Sequence, residues 1–319
     1  MPDGRGLTPE VRRRFSAMLP GMVAKPLVAI VGAGNLGAAL AQSLERAGYA
    51  IEAVVARSRR ESLKGAQSLA EQAGCRPLTD LSVSRANLIW FCVPDAEIGR
   101  AARRFAGRLE WKGRVALHSS GALTSDELAV LRSQGASVAS VHPLMTFVQG
   151  SRPSLAGVSF AVEGDSAAVR LARRIVKDVG GKAYSILKKD KAAYHAWGTF
   201  ASPLLTALLA TTEEVAALAG VDRKAAKQRM IPILRQTLAN YAAFDAPSAF
   251  SGPIVRGDVD TVKRHLDVLR KVPAGREVYA ALARSALRYL PAKNKRALKQ
   301  ILDPRVVGAL RADRRRPSN

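Results

Sequence analysis

Apolar positions along this chain fall into two regimes. Up to about residue 186, short apolar runs alternate with segments of helical periodicity; beyond it, only helical patterning continues. Leu27–Val31 reads LVAIV, a continuous and partly β-branched run that suits a strand buried on both faces. Ile51–Ala56, Asn87–Cys92, Arg114–Leu117, Ala136–Val141, Gly157–Glu163 and Lys182–Ile186 predict further strands. Helix-favouring segments separate them: Ala38–Ala47, Glu61–Ala73, a stretch from Ala96, Thr124–Arg132 and Ser166–Val179. Strands alternating with helices predict a doubly wound, mostly parallel α/β sheet. Lys188–Leu218 then reads as one long helix carrying Pro203, and Arg223–Phe244 as a second, kinked at Pro232. A loop follows over Asp245–Asp258, with helices expected at Val259–Arg270, Arg276–Tyr289 and Lys293–Leu302.

The first strand runs into Gly32, Gly34 and Gly37, spaced G-x-G-x-x-G, with a helix and a second strand behind them. One glycine permits the tight bend, one lets backbone approach a pyrophosphate, and one lets helix and strand pack closely. The free N–H groups of the helix start, at Asn35, Leu36 and Gly37, then face the phosphates. That context turns a weak motif into a dinucleotide-binding prediction. The fold class is therefore α/β, a Rossmann sheet followed by an all-α C-terminal domain. The domains are expected at 1–24 (a basic extension), 25–186 (the Rossmann domain), 187–304 (a helical substrate and dimerisation domain) and 305–319 (a disordered basic tail).

Strand two ends in Arg57-Ser58-Arg59-Arg60, with no acid until Glu61. A carboxylate here would take the ribose hydroxyls of NAD. Arginine with a hydroxyl suits the extra 2′-phosphate, so Arg57, Ser58 and Arg59 point to NADP(H). Val93 and Pro94, at the end of the NLIWFC strand, are expected beside the cofactor, and Asp95 serves as a helix cap or a ligand contact.

Composition narrows the picture further. With 48% hydrophobic residues in 319, a sizeable core forms and wholesale disorder is excluded. No apolar run reaches bilayer length, and the N-terminus lacks a continuous apolar segment, so neither a membrane span nor a secretion signal is expected. Cys75 and Cys92 are the only cysteines, which fits a reducing cytoplasm. Fifty Lys and Arg against 26 Asp and Glu give a net charge of +24. The charges are scattered, with no helix-turn-helix, zinc or aromatic-basic signature. They read as a solvated surface that draws an anionic cofactor and substrate, and nucleic acid is disfavoured as a partner. No metal-ligand set is read.

Two histidines, His118 and His142, each end a strand on the edge where such sheets bind ligands. Ser119, Ser120 and Gly121 follow the first. Lys191 and His195 are four apart and share a helix face, a lysine to polarise or protonate and a histidine to donate or orient. Arg256 in GPIVRGD could fork onto a carboxylate and Asp258 cap the next helix, or both could form an ordinary turn.

In order, GAGNLG, VPD, HSSGA, HPLMTF, DKAAYHAW…FAS and GPIVRGD…T…H resemble the "Rossmann-like plus domain of unknown function 2520" family, over roughly Lys25–Tyr289. That architecture is similar to pyrroline-5-carboxylate reductases, deazaflavin-dependent NADP reductases and β-hydroxyacid dehydrogenases. The resemblance implies an NADP-dependent oxidoreductase reducing a small 2-oxo acid, ketopantoate-like, or an imine. It also implies a homodimer formed through the helical domain. It raises Lys191, with His195 as partner, and lifts Arg256 and Asp258 above an ordinary turn; on the reading adopted here Ser119 lies toward the nicotinamide, and Ser120, His142, Arg256 and Asp258 are substrate contacts. Pro203 departs from the asparagine expected after Ser202. The alternatives are a non-catalytic NADP(H)-binding sensor or scaffold, and a basic nucleic-acid-associated protein.

Overall fold

The computed structural model describes residues 24–56 and 60–305. The N-terminal extension, the Arg57-Ser58-Arg59 cluster and the basic tail beyond residue 305 lie outside the described residues. The chain divides between Thr199 and Phe200 into two compact units.

In the first unit the strands are β1 Val28–Val31, β2 Ile51–Val55, β3 Arg76–Leu78, β4 Leu88–Phe91, β5 Val115–His118, β6 Ser137–Pro143, β7 Ser159–Gly164 and β8 Lys182–Ser185. They form one eight-stranded sheet in the order β3-β2-β1-β4-β5-β6-β7-β8. All neighbouring pairs are parallel except β6 and β7. The connection between β6 and β7 has no crossover helix, and a chain that returns directly must pair antiparallel. Helices Asn35–Arg46, Arg60–Gln72, Asp95–Ala106 and Ser166–Asp178 connect the parallel strands.

Residues of each central strand alternate between two cores. Val28, Ile30, Leu88 and Trp90 join Leu40, Leu44 and Ile175 in one; Ala29, Val31, Ile89 and Phe91 join Ile98, Phe105 and Trp111 in the other. Each fully buried aliphatic or aromatic side chain contributes roughly 1.5–3 kcal/mol. Both faces being covered explains why these strands read as unbroken apolar runs. Glu52 is the exception inside β2. Its carboxylate accepts from Ser84 Oγ and the backbone N–H groups of Arg85 and Ala86, with Arg76 beside it. Burial pushes this carboxyl up, but those donors outweigh it and hold it below its ordinary range.

The strand β3 was not anticipated. It is a short edge strand, mostly exposed and carrying Pro77, so no apolar run marks it. The single helix expected over Lys188–Leu218 is two. A 3-10 turn at Lys188–Asp190 leads into Lys191–Ala201; the chain breaks at Ser202, and Pro203 opens Pro203–Ala217. Proline lacks the N–H that would continue the ladder, yet suits a first helical position. Pro232, by contrast, stays inside Arg223–Ala243. The helix start assigned from sequence to the second domain packs on the first unit through Thr199, because Lys191 and Tyr194 are buried there.

The second unit is helical. Within the expected loop lie two short helices, Ala246–Ala249 and Pro253–Arg256, followed by Val259–Val268, Pro273–Tyr289 and Lys295–Ile301. Val262, Leu266, Ala280, Ala283, Leu287, Leu298 and Leu302 make its core. Pro203–Ala217 buries no residue and Arg223–Ala243 buries only Ala226. Ile233 and Tyr241, in the latter helix, are 67% and 64% exposed.

Candidate active site

The strand order reverses between β1 and β4, and the glycine turn lies at that switch point. Its three glycines are fixed by different constraints. Gly32 has φ +110°, and a Cβ there would sit 2.5 Å from the Cys92 carbonyl oxygen. A Cβ on Gly37 would sit 2.1 Å from the Gly32 carbonyl oxygen, so only glycine lets the helix meet the turn. Gly34 meets nothing within 4 Å. It is the N-cap of Asn35–Arg46 and offers no capping side chain, so the first-turn N–H groups stay available to a ligand. Beside it opens a cavity of about 410 Å³, lined by Gly32, Gly34, Ser62, Val93, Pro94 and Arg100 among others. Val93 and Pro94, expected beside the cofactor, are among the residues that line this cavity. The arrangement fits a dinucleotide: space is left at the one glycine that packing does not require, and helix donors face it.

Two expected contacts of this turn serve the protein itself. The Asn35 amide donates to the Phe147 carbonyl at 3.3 Å, tying the turn to the segment after β6. The Leu36 side chain packs on the core, leaving only its backbone for a phosphate. Ser62, Arg100 and Arg104 were missed as cavity residues. Arg100 and Arg104 read as a solvated helix face in sequence; here Arg100 pairs with Glu97 and Arg104 donates to the Thr79 carbonyl.

One strand further along the edge, the β5 loop is braced from every side. His118 is fully buried; Nε2 donates to the Thr124 carbonyl at 2.9 Å and Nδ1 accepts from Ser120 N–H at 3.1 Å. Burial pushes its pKa down to about 4. Both ring nitrogens are occupied, so His118 is a brace and not a site residue. The Ser119 hydroxyl, expected toward the nicotinamide, is instead engaged inside the protein: it accepts from the Trp90 indole N–H at 2.8 Å and is buried with it. The Ser120 hydroxyl donates to Asp95 at 2.8 Å and accepts from Leu123 N–H at 2.9 Å. Its carbonyl takes Lys191 Nζ at 3.0 Å and Ser140 Oγ at 3.2 Å. Ser120 therefore shapes the loop, and the expected substrate contact is not made by a free hydroxyl. Pro94 is the N-cap of Asp95–Ala106, so Asp95 is no cap; its carboxylate holds Ser120.

Lys191 is 1% exposed and donates to Ser140 Oγ at 2.5 Å as well as to Ser120. Burial lowers its pKa to about 8, against the opposing pull of Glu163 and Asp95. Glu163 is itself buried, accepting from Ser125 N–H and Oγ. Lys191 and His195 do not act as the pair their spacing suggested. Lys191 points into the sheet edge, while His195 lies exposed over Gly121, where an added Cβ would come within 2.7 Å of its Cδ2. The neighbour of His195 is His142, ring centroids 6.2 Å apart. His142 Nδ1 meets the Tyr194 hydroxyl at 2.7 Å, and burial together with the Lys191 charge pushes the imidazole down to about 4. Tyr194 was not anticipated.

In the second unit Asp258 caps Val259–Val268, accepting from Thr261 N–H at 3.0 Å, which holds its carboxyl below the ordinary range. Arg256 ends Pro253–Arg256 with an exposed side chain. Gly257 lies in left-handed backbone, φ +69°, with no room for a Cβ against Lys293.

A doubly wound sheet with a glycine turn at its switch point and a braced polar edge beside it, followed by a helical unit, defines a dinucleotide-fold protein with an appended all-α domain. Residues 21–143 match the family model described as Rossmann-like domain, and residues 158–286 match the domain of unknown function DUF2520. The chain thus carries a Rossmann-like domain followed by a DUF2520 domain. No curated protein sequence matches it. Among solved structures it is similar to a Bacteroides fragilis protein provisionally described as an NADP oxidoreductase (TM-score 0.68, 21% identity, covering 82% of this chain and 97% of that one). It is also similar to a Thermotoga maritima protein (0.62, 22%, 89% and 100%) and to an imine reductase from a Pseudomonas species (0.59, 23%, 83% and 94%). At these identities the likeness establishes the fold.

Proposed function

We propose that this chain is an NADP(H)-dependent oxidoreductase that reduces a small 2-oxo acid or imine by hydride transfer. The observation that carries the reading is continuity along one sheet edge. The open cradle at Gly34 adjoins Val93 and Pro94; Asp95 holds Ser120; Ser120 holds Lys191; and His142 follows on the next strand. The nicotinamide cofactor, when bound, supplies the hydride. Gly32, Gly34, Asn35, Leu36 and Gly37 would hold its pyrophosphate through backbone, and the sequence Arg57-Ser58-Arg59 would supply the charge and hydroxyl for the 2′-phosphate.

In this scheme Lys191 is the electrostatic stabiliser: sealed from water, its charge favours the anion that develops on the substrate as hydride arrives. His142 and His195 face the substrate; in the helical unit, considered by itself, Arg256 is suited by its charge to a carboxylate and Asp258 caps the helix behind it. The imine reductase name carried by one similar structure puts imines beside 2-oxo acids in the substrate panel.

A fluorescence titration tests the cofactor assignment. NADPH is expected to bind at least about tenfold more tightly than NADH, and Arg57→Glu to reverse the order, since one charge-assisted phosphate contact is worth roughly 1.5–3 kcal/mol. Binding of neither reduced cofactor would overturn the reading. NADPH binding without turnover of any carbonyl or imine would leave a sensor.

The exposed apolar faces of Pro203–Ala217 and Arg223–Ala243 support a homodimer through the helical unit, because isolated helices of this composition do not leave such faces to water. Sedimentation velocity is expected to give a dimer, and Ile233→Lys with Tyr241→Lys a monomer. A wild-type monomer at micromolar concentration would refute it. Among the described residues no helix is long and apolar enough to cross a membrane. The free thiols of Cys75 and Cys92 support the cytoplasm as location.

A further inference from the structure

Lys191 and Tyr194 are three apart on one helix; Ser140 and His142 are two apart on β6. The pairs interlock. Lys191 meets Ser140 at 2.5 Å, and Tyr194 meets His142 Nδ1 at 2.7 Å with the rings edge to face. Both are side chains of fixed elements, so the imidazole is held at two points, its strand and its phenol partner.

The direction of the Tyr194–His142 bond decides what His142 offers. A separation of 2.7 Å is the ordinary length of an O–H donor bond and short for an N–H donor to a hydroxyl. The other groups near the phenol are the His142 carbonyl, 3.5 Å away, and the Tyr184 hydroxyl, which among the described residues has no other partner and can donate to the Tyr194 oxygen. The hydroxyl therefore donates to Nδ1. Burial raises the Tyr194 pKa above its ordinary value, with Tyr184 beside it acting the same way, so the phenol keeps that proton. His142 is neutral and has a single N–H, which must then sit on Nε2.

Among the described residues nothing hydrogen-bonds Nε2. It faces Gly121, where an added Cβ would lie 2.9 Å away; the absence of a side chain there keeps Nε2 uncovered. The charged and titratable groups that act on His142 are Lys191, His195 and His118, and each opposes a further positive charge. A group with a lone pair or a negative charge is welcomed at Nε2, and an N–H or cationic group is repelled.

We infer that Tyr194 is a positioning residue that locks His142 as an Nε2–H donor, and that this donor selects a substrate presenting a carbonyl or carboxylate oxygen, a 2-oxo acid, over a protonated imine. The inference rests on the reductase reading above and chooses between its two substrate classes. A protonated imine would place N–H against N–H beside a buried ammonium. A 2-oxo acid offers acceptors at both its carbonyl and its carboxylate.

Two measurements test it, and they fail separately. Imidazole nitrogen NMR of the full-length protein with NADP⁺ reads the tautomer directly. Wild type should show His142 protonated at Nε2 and bare at Nδ1, and Tyr194→Phe should show both tautomers. A wild-type His142 protonated at Nδ1 overturns the lock, whatever the activity. Steady-state kinetics with NADPH then compares pyruvate and ketopantoate with a cyclic imine. Wild type should favour a 2-oxo acid in kcat/KM. Tyr194→Phe should lower that value about tenfold, mostly through KM, with NADPH affinity unchanged. His142→Gln, which retains an N–H donor, should keep more of that activity than His142→Leu. Preference for the imine, or indifference to Tyr194→Phe, overturns the substrate assignment. Turnover of neither class sinks the reductase reading and the substrate assignment with it, while the tautomer is still decided by the spectrum.

Discussion

Gly34→Val is expected to leave the fold intact and to abolish useful NADPH binding. The backbone at Gly34 is ordinary, with φ −73° and ψ −176°, and an added Cβ meets nothing within 4 Å beyond its chain neighbours. Stability should stay within about 0.5 kcal/mol of wild type, as for a substitution that touches nothing. The valine would occupy the space in front of the helix N-terminus, and the loss of pyrophosphate contacts should weaken NADPH by roughly 100-fold, about 2.7 kcal/mol. Gly37→Ala should behave oppositely. Its Cβ would lie 2.1 Å from the Gly32 carbonyl oxygen, so helix and turn must separate, at a cost of about 3 kcal/mol or more. Thermal melts and fluorescence titrations on the two variants distinguish a glycine kept for the ligand from one kept for packing. Wild-type NADPH affinity in Gly34→Val would remove the pyrophosphate from this turn.

Lys191→Met is expected to lower kcat about 100-fold while NADPH affinity changes less than about twofold, as when a preorganised charge near a developing anion is lost. Methionine keeps the length, and Ser140 Oγ already donates to the Ser120 carbonyl, so neither group is stranded. The pH dependence carries the signature. The native pKa of Lys191 is about 8, below the ordinary 10.5. Between those values the unfolded chain holds a proton that the native chain has released, so wild-type stability gains with pH across that window. The methionine variant lacks that gain, and the difference in urea midpoint between the two proteins should move in favour of wild type from pH 8 toward 10.5. Turnover should fall over the lower part of the same window as the ammonium is lost. A Lys191→Met enzyme with wild-type kcat would remove the charge from the mechanism.

What the sequence disclosed depended on how local the cause was. Strands such as Val28–Val31 and Leu88–Phe91 were legible because burial on both faces leaves an unbroken apolar run. The glycine spacing was legible because its three constraints lie within one turn. His118 and His142 looked alike, each at a strand end. Only the three-dimensional loop shows that Thr124 and Ser120 consume both nitrogens of the first and leave one nitrogen of the second uncovered. Tyr194 was passed over for a related reason. Helical spacing linked Lys191 to His195, but the partner surface is a strand, whose two-residue repeat of roughly 6–7 Å matches a three-residue step on the helix. The break at Pro203 needed knowledge of which residues the preceding helix buries, and that is set by the sheet edge it meets.

Ser120 has a consequence for how such a site can diversify. Its hydroxyl, amide and carbonyl are all engaged, with Asp95, His118, Leu123, Ser140 and Lys191. The scaffold that holds Lys191 is thus complete in itself, whereas His195 and Trp197 are exposed on the adjoining helix, the first beside the His142 ring and the second beside the Tyr194 ring. Mutation can explore new ligands at those outer positions without disturbing the frame, so descendants of one ancestor can inherit a common chassis and differ in what they accept.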